Sequence, residues 1–297
     1  MTNQKKVNSV AEFLDYVNSY EYNDYSSQVL ECSTFFRGQS NIEWKLTPSL
    51  YRENLLPVEG LLLKRMKHLC PAEFADDRLE VLAKMQHFGM PTRMLDVTTN
   101  PLVALYFACS DKSQIDKDGV VYSFCNMPVM WSNDPIVETI MDFVFELSMD
   151  RVHLDRYLNS AASSKSDYFF GQFKIKTVDE LLRILTHPAY AVMPVKSNPR
   201  IFAQNGAFLI FGMKMKNINP GTHGTSESYT FEPLIIKSPK EIFDKSELII
   251  VPSGQKKIIL NELNRIGINE QTLFPDLQHQ VNHVVNSVRD NFIFTYI

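Results

Sequence analysis

The segment QHFGMPTRMLDVTTNPLVALYFA, Gln86 to Ala108, constrains the fold more than any other stretch of the chain. Its first half gathers His87, Gly89, Pro91, Thr92, Arg93 and Asp96, residue types that serve turns and polar contacts, and its second half is apolar. Pro101 suits a first helical turn, because the amide hydrogen it lacks would have no partner there. Leu102, Leu105, Tyr106 and Cys109 then share a helical face. The segment therefore reads as a turn and a short strand ending at Asn100-Pro101, where a helix begins. Such a junction, crowded with polar groups, is a candidate wall for a ligand cleft.

Around this junction helix and strand patterns alternate irregularly. Ser9 and Glu12 stand at capping-box spacing ahead of Phe13, Leu14 and Val17, which predicts an opening helix. A short strand is expected to end at Arg37, followed by a turn over Gly38 to Asn41. Further helices are expected between Leu55 and Met85, from Asp134 to Leu158, after Thr177, which stands with Glu180 at capping-box spacing, and from Lys256 to Ile266, where Gly267 suits the left-handed conformation that closes a helix. Strands are expected from Gly119 and over Ala207–Phe211, Tyr229–Ile236 and Leu248–Val251. With most strands late, the pattern favours α+β over a regularly wound parallel sheet. No linker divides the chain, so one domain over residues 1–297 is expected.

With 297 residues, 44% of them hydrophobic, the chain can bury a substantial core. No apolar run reaches the roughly 18 residues of a membrane span. MTNQKKVNSVAEFLDYV lacks the features of a secretory signal, so a cytoplasmic protein without a membrane partner is expected. Cys32, Cys70, Cys109 and Cys125 are widely spaced, which predicts reduced packing thiols and no metal site. The net charge of −4 supplies no global field for phosphate. Lys256, Lys257 and Arg265 make only a modest basic patch, by default a solvated helix face. Neither G-x-G-x-x-G nor a P-loop appears, which disfavours Rossmann and P-loop nucleotide sites.

At FFRGQS, WKLTPSLYR, the Gln86 to Ala108 segment, NPRIFAQNGAFLI and LFPDL, the chain resembles the FRG domain family, named for the signature carried here by Phe36, Arg37 and Gly38. These blocks run from Phe36 to Leu277, which implies an FRG domain over nearly the whole chain. The chain is also similar to ADP-ribosyltransferases of the Arg-Ser-Glu type. In these an early strand supplies an Arg, a second strand ends in Ser/Thr and leads to a helix, and a later strand supplies Gln/Glu. The matching positions are Arg37, then Thr98 and Thr99, then Gln204, which stands where the catalytic Glu of that family is expected. The resemblance implies a mixed, mainly antiparallel split sheet with flanking helices. It also implies NAD as substrate, and a toxin or phage-defence effector acting on nucleic acid or protein, with an antitoxin or other regulatory protein as a further partner. Catalytic roles would fall to Arg37, Thr98, Thr99 and Gln204. Arg37, Gly38, Gln39, His87, Thr92 and Asp96 would bind the dinucleotide. The alternative is a module that binds a nucleotide, nucleic acid or protein without chemistry.

The residues themselves support these roles and plainer ones. Arg37 offers a planar fork of donors that suits a pyrophosphate, or it is a structural arginine against Asp96 or a backbone carbonyl. Gly38 lets the backbone approach a ligand closely. Asp96 would stabilise positive charge developing on a ribose. His87 titrates nearest neutral pH, or only serves a turn. Thr92 and Thr98 bind a ligand or satisfy local backbone groups. Gln204 faces a ligand or precedes an Asn-Gly hairpin turn. Trp44, Tyr51, Tyr106 and Phe107 stack on a heterocycle or fill the core.

Overall fold

One long strand organises the sheet. The computed structural model describes residues 5–20, 31–74, 77–146, 151–164, 175, 177–195, 198–219, 227–276 and positions 280, 281, 284, 285, 288 and 289. The strands are β1 (Lys5–Lys6), β2 (Cys32–Gln39), β3 (Met94–Thr98), β4 (Gly119–Trp131), β5 (Arg151–Val152), β6 (Ala189–Met193), β7 (Gly206–Phe211), β8 (Met213–Asn219), β9 (Ser228–Pro233) and β10 (Ser246–Val251). The helices are α1 (Val10–Asn18), α2 (Ser49–Arg52), α3 (Glu59–Leu69), α4 (Arg78–His87), α5 (Pro101–Cys109), α6 (Pro135–Glu146), α7 (Leu154–Ser164), α8 (Val178–Thr186), α9 (Pro199–Ala203), α10 (Lys256–Arg265) and α11 (Glu270–Leu273).

Strand β4 is paired with β2 along both of its halves. Its first half also runs antiparallel to β10, and its last residues, Val129–Trp131, run parallel to Ala191–Met193 of β6. Asn126, at φ +55°, takes the left-handed conformation that asparagine tolerates better than most residues, and the register shifts nearby between Ser33 and Phe35. These irregularities lie between the stretch of β4 that pairs with β10 and the stretch that pairs with β6. The order β4-β2-β3-β7-β6, closed by β6 returning to β4, is a ring of five strands. Strands β10 and β1 extend from β4, and β5-β9-β8 form a separate sheet. The α+β class is as expected. The expected split sheet is instead a closed ring, and its opening is local: β2 and β3 meet at one registered pair, Phe36 opposite Thr98.

Alternation along each strand sorts side chains between the inside of the ring and the outside. Phe35, Leu95, Val97, Val120, Tyr122, Phe124, Ala191, Leu209 and Phe211 belong to one core cluster, which fills the ring. Phe36, Val121 and Ile249 point the other way and pack with α1, α5 and α10. Met94, Tyr190, Phe208 and Ile210 pack with α3, α4 and α6. Burial pushes the Cys109 thiol up to about 12, in keeping with a packing role, and none of the four cysteines is in a disulfide.

Helix α5 lies unusually close to the sheet. A Cβ on Gly38 would sit 1.8 Å from the Ala104 carbonyl oxygen, and one on Gly119 would sit 2.1 Å from that of Ala108. Two glycines on neighbouring strands thus let helix backbone touch strand backbone.

Arg93 and Glu59 form a buried ion pair, their side chains 1% and 2% exposed. Arg93 Nε donates to both Glu59 oxygens at 3.0 Å, and Nη2 donates to Oε2 at 2.5 Å. Burial opposes the Arg93 charge, but the facing Glu59 carboxylate and Tyr51 outweigh it and push the guanidinium pKa up. The Tyr51 hydroxyl donates to the Gly212 carbonyl at 2.6 Å, so Tyr51 is a core residue, not a stacking platform.

Other expectations shift. The helix expected from Asp134 to Leu158 is interrupted, because Arg151 and Val152 pair with β9. Strand β2 continues through Gln39, where a turn was expected from Gly38. Lys256 is fully buried, donating to the carbonyls of Ser40 at 2.6 Å and Gln114 at 2.8 Å, so it contributes nothing to a basic patch. Burial lowers its pKa. The capping box at Thr177 and Glu180 forms as expected. Leu277, His223, His279 and His283 lie outside the described residues.

Two stability predictions follow from these contacts. Glu59→Gln strands a buried guanidinium and should lower unfolding free energy by about 3–5 kcal/mol. A urea titration checks this, and Glu59→Leu combined with Arg93→Met should recover most of the loss. Gly38→Ala forces α5 outward and should cost about 1–3 kcal/mol or more, seen as an earlier thermal midpoint.

Candidate functional site

Beyond the Phe36–Thr98 pair no further residues of β2 and β3 are in register, and a cavity of about 260 Å³ is lined by both strands there. Helix α5 contributes Val103, Ala104 and Phe107 to its wall, and α4 contributes Ala83, Gln86 and His87. Phe208 and the start of α9, with Arg200 and Ile201, complete it. The cavity therefore lies where the two outer core clusters part.

Six of the sequence-predicted residues line this cavity: Arg37, Gly38, His87, Asp96, Thr98 and Gln204. Arg37 is half-buried and donates from Nη1 to the Asp96 backbone carbonyl at 2.5 Å. Its Nε is buried with no protein partner. Burial lowers its pKa, Asp96 opposes that shift and Arg52 adds to it. Of the alternatives for Arg37, the pairing is thus with the Asp96 main chain. The Asp96 carboxylate accepts from Gln86 Nε2 at 2.8 Å. Among the described residues Asp96 is the one carboxylate that lines the cavity, beside His87, Arg37 and Arg200.

Thr92, Thr99 and Gln39 do not line the cavity. Thr92 is fully buried, and its hydroxyl donates to Gln86 Oε1 and accepts from Met94 N at 3.2 Å. It therefore fixes the glutamine that holds Asp96. Thr99 donates its amide to the Asn205 carbonyl at 3.1 Å, and Gln39 is buried on β2.

Thr98 and Gln204 are tied to the frame. The Thr98 hydroxyl donates to the Gln204 carbonyl at 2.7 Å and accepts from Asn100 N at 3.0 Å. Gln204 Nε2 donates to the Leu273 carbonyl at 3.0 Å. Gln204 ends α9, and Asn205 at φ +45° leads into β7, so Asn-Gly here joins helix to strand and not two strands. Gly38 borders the cavity, but the group its missing side chain admits is the backbone of α5 at Ala104 and Ala108, where a ligand was expected. Of the aromatics, Phe107 lines the cavity, Tyr106 is buried and Trp44 is 41% exposed elsewhere.

Sequence reasoning missed Gln86, Asn198 and Arg200 as site residues. A signal was present: Asn-Pro occurs at Asn100-Pro101 and again at Asn198-Pro199. Both asparagines cap a helix, accepting from Leu102 N at 3.0 Å and Arg200 N at 2.8 Å. Both helices border the cavity.

Residues 33–117 match the FRG domain family, and the chain carries an FRG domain there. The match spans β2 through α5 and stops just short of β4. No curated protein and no solved structure matches the chain. Among the described residues no helix is long and apolar enough to cross a membrane, and no three His, Cys, Asp or Glu side chains gather as a metal site.

Thr98→Val would leave the Gln204 carbonyl and the Asn100 amide without their hydroxyl partner. It should lower stability by about 1–3 kcal/mol, measurable in guanidinium unfolding, before any effect on ligand binding is counted.

Proposed function

We propose that the cavity binds NAD as substrate and that the chain is an ADP-ribosyltransferase modifying a nucleic acid or a protein. The observation that carries this reading is the convergence of Arg37, His87, Asp96, Thr98 and Gln204 on one cavity from separate parts of the sequence. The buried Nε of Arg37, which lacks a protein acceptor, fits an anionic oxygen of the dinucleotide. Breaking the bond between nicotinamide and ribose sends the bonding pair to the nicotinamide nitrogen and leaves oxocarbenium-like charge on the sugar. The Asp96 carboxylate, held by Gln86, is the lining group of the sign needed to stabilise that charge. The acceptor nucleophile then bonds to the sugar and gives up its proton to solvent water.

Gln204 does not take the role of a catalytic glutamate in this scheme, because its amide is committed to the Leu273 carbonyl. This commitment also favours the second reading, a module that binds the nucleotide without turning it over. Incubating the chain with labelled NAD and cell extract separates the two. Nicotinamide release and label transfer are expected, with a drop of at least about 100-fold in Asp96→Asn. Calorimetric binding of NAD with no nicotinamide released would establish the binding module instead. Absence of both binding and release would sink the assignment.

A further inference from the structure

A second cavity, of about 390 Å³, adjoins the first and shares with it Ala83, His87, Asn198, Arg200 and Ile201. The two are lobes of one groove with a common neck. Arg200 is the permanent cation of that neck, and its guanidinium lies 4.7 Å from the centroid of the Phe274 ring. Beyond it the second lobe is bordered by Leu79, Pro194, Val195 and Pro199, together with the carboxylates of Asp77, Glu80 and Asp276 and with Lys84, which is paired with Glu73. With its one lysine already paired and three carboxylates present, that set suits an uncharged ring and sugar hydroxyls better than phosphate. Phe88 also lines this lobe and is 75% exposed, so no packing duty explains its place. His87 meets it edge-on, with ring centroids 5.2 Å apart.

We infer that the groove takes a dinucleotide across both lobes, with the pyrophosphate at the Arg200 neck and the adenosine half in the second lobe against Phe88. The inference rests on the reading that the first cavity binds NAD. It adds a subsite and a specificity: the site prefers dinucleotides to mononucleotides. The apolar border and the exposed ring supply a stacking surface for a heterocycle. The shared cation supplies counter-charge for the linkage between the two lobes, beside the Arg37 Nε that faces the first.

Titration calorimetry on the full chain with NAD, ADP-ribose and nicotinamide mononucleotide tests this. Phe88→Ala, at an exposed position, should weaken NAD and ADP-ribose by about tenfold and leave the mononucleotide within about twofold. Val195→Trp, which crowds the same lobe, should act in the same sense. Unchanged NAD affinity in both variants, while Arg37→Ala weakens it, would overturn the second subsite and leave the NAD reading standing. Equal weakening of NAD and the mononucleotide by Phe88→Ala would also overturn it. Failure of the unmodified chain to bind NAD would remove both.

Discussion

Backbone contact between α5 and the sheet is the constraint on which the rest of the site depends. A helix normally stands off a sheet by the length of its side chains, but Gly38 and Gly119 remove that spacing on two adjacent strands. The closeness fixes Val103, Ala104 and Phe107 as one wall of the cavity. It also gives the Phe-Arg-Gly signature a physical meaning. Phe36 packs under the helices on the outer face, Arg37 holds the Asp96 carbonyl, and Gly38 seats α5. Three consecutive residues thus do three different jobs at one place in the ring.

Two arginines divide the electrostatic work. Arg93 is fully paired inside the protein with Glu59, and its neighbour Thr92 fixes Gln86. Arg37 spends one donor on a main-chain carbonyl and keeps a buried nitrogen without a protein acceptor. The first arrangement is closed and structural, while the second is an incomplete hydrogen-bond shell beside a cavity. A buried donor of that kind costs free energy unless something else supplies the acceptor, which is the physical basis of the proposal that Arg37 meets a ligand.

What could be read from the sequence was local. Asn100 capping α5, Thr177 and Glu180 closing a box, and Gly267 at φ +82° after α10 all involve atoms a few residues apart, and the residue types announce them. The set of polar residues around the cavity was also largely visible, because strand ends and helix starts concentrate them. The ring was not legible. Its closure needs Val129–Trp131 to find Ala191–Met193, and nothing in either segment specifies a partner so distant. The buried pair escaped for the same reason: Arg93 and Glu59 look like ordinary surface charges until the fold removes their water. Lys256 is the plainest instance, read as part of a solvated face and found holding two carbonyls inside.

The single pair between β2 and β3 gives the ring a clasp. Four of its seams are ladders of three or more registered pairs, but this one is fastened by Phe36 opposite Thr98 and by the Arg37 side chain reaching the Asp96 carbonyl. A ladder cannot be undone one side chain at a time, whereas a clasp can. At this seam the closure of the ring therefore rests on one registered backbone pair and one guanidinium, so a single side-chain change at Arg37 reaches the circumference of the whole barrel.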